Sequence, residues 1–252
     1  MACEIFKALT CVLVHVMDKV DVLIPTRNPS RVNPRLLEVL ASAPWVNNVV
    51  FETSRPLSVA RKIGAIKCKT EWIAMFDDDV VIPPNWFEVV SKFARQPNVV
   101  AVSTVRVDDN IHVEAYKKVT NKIKPVHTRE TLFICNTLIK REVFFDYNPP
   151  KVFHCEDDIL YRHVKKKGKW VTLPSIGVIH HYVERDTIQT WYLATTLKLF
   201  PAHRILATIL SRIILSIPAV GYSHTWRTIP FLWSQTVKQI VRILKALLRK
   251  NR

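Results

Sequence analysis

Three adjacent carboxylates, Asp77-Asp78-Asp79, follow directly on the apolar run Trp72-Ile73-Ala74-Met75-Phe76. A short apolar run suits a buried strand, and in open α/β sheets ligands bind in the crevice beyond the carboxyl ends of the strands. Three acids at such a point repel one another unless a cation shares the space. Hard divalent ions such as Mn2+ or Mg2+ take oxygen ligands from one or two carboxylates together with substrate phosphates. The plainer reading, that the acids cap a helix beginning beyond Pro83-Pro84-Asn85, uses one side-chain oxygen and leaves the others unexplained.

A second acidic group, Glu156-Asp157-Asp158, follows His154-Cys155 and precedes Ile159, Leu160 and Val164 at near-helical spacing. Acids there complement the dipole of the helix they open, and Lys165-Lys166-Lys167-Gly168-Lys169 closes it with the opposite charge. Gly177-Val178-Ile179 then leads into His180-His181. Neighbouring side chains on a strand point to opposite faces, so at most one of this pair serves as a ligand. Earlier in the chain, Pro25-Thr26-Arg27-Asn28 forms a polar loop after the apolar run Val20–Ile24. One reaction uses all four features. Sugar transfer from a nucleoside diphosphate needs a cation beside the leaving pyrophosphate, and a carboxylate on the opposite face to take the acceptor's proton.

The elements that must position these groups alternate. Strands are expected at Val20–Ile24, Val46–Phe51, Trp72–Phe76, Val99–Val105 and Trp170–Leu173, with helices at Pro34–Leu40, Leu57–Lys67 and Asn85–Arg95. That alternation predicts an α/β, doubly wound, mixed but mainly parallel sheet flanked by helices. Residues 106–130, polar and without a clear period, read as the variable edge of a substrate site. Ile5 to Val16 carries helical spacing, although Cys11 to Val16 reads equally as a strand. With only Gly64, Gly168, Gly177 and Gly221 in 252 residues, neither a dinucleotide fingerprint nor a P-loop is present. Phosphate must be held by metal, Arg, Lys or helix ends. The odd set of cysteines at 3, 11, 68, 135 and 155 has no paired spacing and implies buried thiols in a reducing compartment.

The segments Val20 to Asn28, Ala60-Arg61-Lys62-Ile63-Gly64, Phe76-Asp77-Asp78-Asp79 and Glu156-Asp157-Asp158-Ile159-Leu160, closed by His180-His181, resemble in that order the inverting family 2 glycosyltransferases with a GT-A (Rossmann-like) fold. The resemblance covers about residues 20–185, and residues 1–186 are expected to form that domain. It implies that Pro25, Thr26, Arg27 and Asn28 meet the nucleobase and ribose, with Arg61 near the base or pyrophosphate. Asp77, with Asp78, is implied on the nucleotide side. Asp79, helped by one of His180 and His181, with His180 favoured, is implied to bind Mn2+ or Mg2+. Asp157 is implied as the general base, flanked on the acceptor side by Glu156 and Asp158. Lys62 stands where family members often carry Asn. The Gln-x-x-Arg-Trp motif of processive synthases is missing, so transfer of a single sugar is expected.

The formal charge of +16 is uneven, because ten Lys or Arg and no Asp or Glu fall in residues 187–252. Within this stretch, residues 205–222 are almost wholly apolar and would reach about 27 Å as a helix, near the ~30 Å hydrocarbon thickness. Arg212 and Pro218 oppose a full span. Farther on, Val237, Ile240, Val241, Leu244 and Leu248 share one helical face, with Lys238, Arg242, Lys245 and Arg249 on the other. That is the pattern of an interfacial helix on an anionic membrane, and Trp191, Tyr192, Trp226 and Trp233 suit the headgroup level. Residues 187–252 therefore read as a separate membrane-associating region. A nucleotide-sugar donor and a lipid-linked acceptor, such as a polyprenyl phosphate or glycolipid, are the expected partners. The expected location is the cytoplasmic membrane face, with GDP-mannose the favoured donor over a UDP sugar. Binding to nucleic acid, the main rival for so basic a chain, lacks a recognisable module. Another metal-dependent phosphoryl or nucleotidyl transferase would use the same acids.

Overall fold

A computed structural model of the chain describes residues 19–123, 134–149, 156–181 and 202–250. The N-terminal segment up to residue 18, His154, Cys155, Tyr182 and residues 187–201 with Trp191 and Tyr192 lie outside them, as does the side chain of Asp158.

Seven strands form one sheet: β1 (Val20–Pro25), β2 (Val46–Glu52), β3 (Trp72–Phe76), β4 (Val80–Val81), β5 (Val99–Asp108), β6 (Asn136–Lys140) and β7 (Lys169–His180). They lie in the order β2-β1-β3-β6-β5-β7-β4. β1 pairs in parallel with β2 and β3, and β5 with β7, whereas β6 is antiparallel to β3 and β5, and β4 to β7. The sheet is mixed and mainly parallel, as expected from sequence. Five strands run in one direction, with β4 and β6 opposing them. The carboxyl ends of β1, β3, β5 and β7 consequently meet at one edge.

Alternation along each buried strand feeds two cores. Val22, Ile24, Ala74, Phe76, Val102 and Leu138 face α1 (Pro34–Ser42) and α3 (Trp86–Ala94). Leu23, Ile73, Met75, Ala101 and Ile139 face α2 (Leu57–Lys67) and α5 (Glu156–Lys165). Phe76, the last residue before the acid triplet, is pinned edge-to-face by Trp86 at 4.9 Å and Phe87 at 6.2 Å. The triplet does not cap α3, because Val80 and Val81 pair with β7 before that helix begins.

The segment after β5 holds α4 (Ile111–Ile123), a helix the sequence reading left as irregular edge. Onto it pack α6 (Ala202–Ser223) and α7 (Thr228–Lys250), where Ala115, Val119, Ala219 and Leu232 form a third small core. The basic tail set apart in the sequence reading is therefore joined to the sheet through α4. No helix among the described residues is long and apolar enough to cross a membrane.

Gly64 is where α2 touches β1. A methyl group there would stand 2.2 Å from Leu23 Cδ1 and 3.2 Å from Glu52 Cβ, both on buried residues. Gly64→Ala is expected to cost about 1–3 kcal/mol of stability, read as a lower urea midpoint.

Candidate active site

Three backbone bonds fix the acid triplet at the sheet edge. The Asp77 N–H donates to the Cys135 carbonyl at 3.4 Å, the Asn33 N–H to that of Asp78 at 2.9 Å, and the His181 N–H to that of Asp79 at 2.9 Å. With Val80 opposite His180 in the β4–β7 ladder, the triplet and the end of β7 are held side by side.

The side chains then diverge. Asp78 turns to the loop after β1, its Oδ2 2.6 Å from the Thr26 hydroxyl. Thr26 is buried and braces that loop by accepting from the Asn28 N–H at 3.2 Å, while Arg27 and Asn28 are exposed and Pro25 is buried. Asp77, Asp79 and His180 instead offer ligand atoms that all lie within 4.8 Å of one another. His180 Nε2 is 3.3 Å from Asp79 Oδ1, and its Nδ1 is 3.3 Å from Asp108 Oδ1. His181 points elsewhere, its Nδ1 2.7 Å from Asp109 Oδ2, as alternation along a strand requires.

Asp108 is a residue the sequence reading missed, since the expected strand stopped at Val105 and β5 runs on to Asp108 itself. Its side chain is 1 % exposed, and Lys117 Nζ of α4 lies 3.1 Å away and Arg106 Nη2 3.4 Å away. Burial alone would raise its pKa, but the approach of His180 and the charges of Arg106 and Lys117 hold it at about 2. A histidine with one nitrogen on a buried carboxylate and the other turned to a cluster of acids has the arrangement that orients metal-bound imidazoles. Two carboxylates and this imidazole fit Mn2+ or Mg2+ as a donor set.

Arg61, on α2, connects this cluster to the second acidic group. Its guanidinium is 3 % exposed, with Nη2 2.9 Å from Asp77 Oδ1 and 3.6 Å from Glu156 Oε1. Burial opposes its charge, yet Asp77, Glu156 and Asp157 together raise its pKa above the ordinary value. Nε and Nη1 are buried without a hydrogen-bond partner among the described residues. Arg61 thus stands between Asp77 and Glu156 as their shared counter-ion. Burial pushes the Glu156 carboxyl up, with Arg61 opposing and Asp77 adding to the shift. Asp157, next on α5, is half-buried and so more open than Glu156.

Replacing Asp108 with Asn is expected to weaken Mn2+ binding about 10- to 100-fold, read by titration of the ion's magnetic resonance signal. The same change should flatten acid unfolding. A carboxyl held below its ordinary 3.8 stabilises the fold above that pH, and this contribution is lost as pH falls toward 2.

No curated protein matches the chain in sequence. Among solved structures, the mannosyltransferase PcManGT from Pyrobaculum calidifontis, in complex with GDP-Man and Mn2+, matches with a TM-score of 0.61 at 13 % identity, over 99 % of this chain and 95 % of its own. GalNAc-T7 with UDP, GalNAc and Mn2+ matches with a TM-score of 0.48 at 12 % identity, over 74 % of this chain and 48 % of its own. The first of these likenesses shows a shared fold. The model of glycosyl transferase family 2 matches residues 33–159, about half the chain and the stretch that carries Arg61, the acid triplet and Asp157. The protein belongs to glycosyl transferase family 2.

Proposed function

We propose that this glycosyltransferase moves a single sugar, with inversion, from a nucleoside diphosphate sugar to a lipid-linked acceptor. The observation that carries the reading is the convergence of Asp77, Asp79 and His180 at the sheet edge, joined through Arg61 to Glu156, the neighbour of Asp157 on α5. GDP-mannose is the favoured donor and a UDP sugar the alternative. PcManGT, similar in fold, was solved with GDP-Man and Mn2+.

In this reading Asp77, Asp79 and His180 would hold Mn2+ or Mg2+, which would supply positive charge for the leaving diphosphate. Asp108 keeps the His180 ring turned toward Asp79. The loop from Pro25 to Asn28, braced by Thr26 on Asp78, faces the base and ribose. With a glycolipid acceptor, Asp157 takes the proton of the acceptor hydroxyl as the hydroxyl oxygen bonds to the anomeric carbon and the bond from that carbon to the phosphate oxygen breaks; the anionic oxygen of a polyprenyl phosphate would attack without that proton transfer. The nucleoside diphosphate carries away that electron pair. Glu156 does not compete for the proton, because it is buried against Arg61. The polyprenyl phosphate or glycolipid acceptor follows from the basic tail, residues 187–252, which is proposed to hold the enzyme at the cytoplasmic face of a membrane.

Thermal stabilisation by one family of nucleotide sugars, requiring both Mn2+ and Asp79, is the expected result for the intact protein against Asp79→Ala. Stabilisation by none would refute the donor class. Asp157→Asn should keep donor binding while sugar transfer falls about 100- to 10,000-fold. Release of a nucleoside diphosphate separates this reaction from nucleotidyl transfer, which releases pyrophosphate.

A further inference from the structure

The hairpin of α6 and α7 keeps apolar surface that the fold does not use. On α6, Leu210, Ile213, Ile214 and Ile217 recur at three- and four-residue spacing and stay exposed, Ile214 by 63 % and Ile217 by 62 %. Trp233, Val237 and Val241 do the same along α7, and Trp226 in the connection is 74 % exposed. Leu215, Ala219, Phe231 and Leu232 meanwhile pack in the third core with α4. Core packing therefore accounts for one stripe of each helix and leaves another bare. Single exposed apolar residues are ordinary, but a periodic set on two adjoining helices marks an interaction face.

Charge decides its occupant. Between Ala202 and Lys250 the sequence holds eight Lys or Arg and no Asp or Glu. Arg227, beside Trp226, and Lys238, beside Val237, are both exposed. A second copy of the chain would set like charge against like, whereas an anionic bilayer supplies the complement. Indole rings amid basic residues suit the headgroup level.

We propose that the α6–α7 hairpin is an interfacial docking face that inserts Ile213, Ile214, Ile217, Trp226, Trp233 and Val237 into the headgroup region of an anionic lipid bilayer. The proposal names the surface through which a lipid-linked acceptor is met, and rests on the transferase reading for that acceptor alone. Its position suits the task. α4 begins just beyond Asp108 and Asp109, and His112 Nδ1 on its first turn lies 2.9 Å from Thr228 Oγ1, which is 2.5 Å from Ser223 Oγ. The hairpin turn is thereby tied to the sheet edge that carries the acids.

Co-sedimentation of the full chain with phosphatidylcholine vesicles, with and without phosphatidylglycerol, tests the face. Thermal stabilisation by Mn2+ with GDP and UDP sugars is measured on the same preparations. The expected result is salt-sensitive binding to the anionic vesicles, about tenfold or more weaker for the double variant Ile214→Ser, Ile217→Ser and for Trp226→Ser. Nucleotide stabilisation should be unchanged in these variants, and Arg227→Glu should weaken binding to anionic vesicles. Absence of vesicle binding, or equal binding by parent and variants, overturns the proposal. So does self-association without vesicle binding that the same substitutions abolish, which assigns the face to a second copy. Intact vesicle binding without nucleotide stabilisation would instead count against the transferase reading.

Discussion

A single buried guanidinium holds together acids that are far apart in sequence. Asp77 follows strand β3 and Glu156 opens a helix, and both lean on Arg61 of α2. Two carboxylates brought this close repel, and taking a charge out of water is costly unless a partner shares its burial. Removing the cation from such a cluster typically costs about 3–5 kcal/mol, because the acids would remain buried and uncompensated. The rest of the local architecture serves this contact. Gly64, one turn beyond Arg61, lets α2 approach Leu23 closely, and Phe76 is wedged by Trp86 just before the acids.

The sheet's change of direction at β6 matters next. An antiparallel strand between β3 and β5 separates the acid triplet from Asp108 while keeping both at one edge. The buried Asn136 at the start of β6 faces Phe76 in the ladder and donates from Nδ2 to the Val105 carbonyl at 3.4 Å. The same arrangement lets β7 return in parallel beside β5, so that His180 arrives opposite Val80, next to Asp79 and Asp108. The histidine is thus positioned by two ladders at once.

Much of this was legible in the sequence because it rests on local patterns. The bounds of α2 and β3 follow from continuous apolar spacing, and Asp77 to Asp79 stand out by type alone. β6 escaped because Asn136-Thr137-Leu138-Ile139-Lys140 has polar ends, and its antiparallel pairing is a long-range choice that local propensity does not encode. β4, two residues long, owes its existence to its partner. Asp108 was hidden by Arg106, whose charge looked like the end of a strand, although it forms an ion pair with Asp108. Arg61 was recognised as important, but only tertiary packing reveals that it stands between Asp77 and Glu156. The spacing along the last helix marked an apolar face without saying which residues the core would take.

The docking of α6 and α7 on α4 ties the tail to the chemistry. Ala115 and Val119 are covered by the hairpin, and Lys117 between them reaches Asp108, which in turn steadies His180. Cutting the chain before α6 would therefore bare the seat of α4 and slacken the histidine two contacts away. The hairpin and the acidic edge share one chain of contacts, and a more tractable protein is better sought by altering the bare outer stripe of the hairpin than by trimming its end.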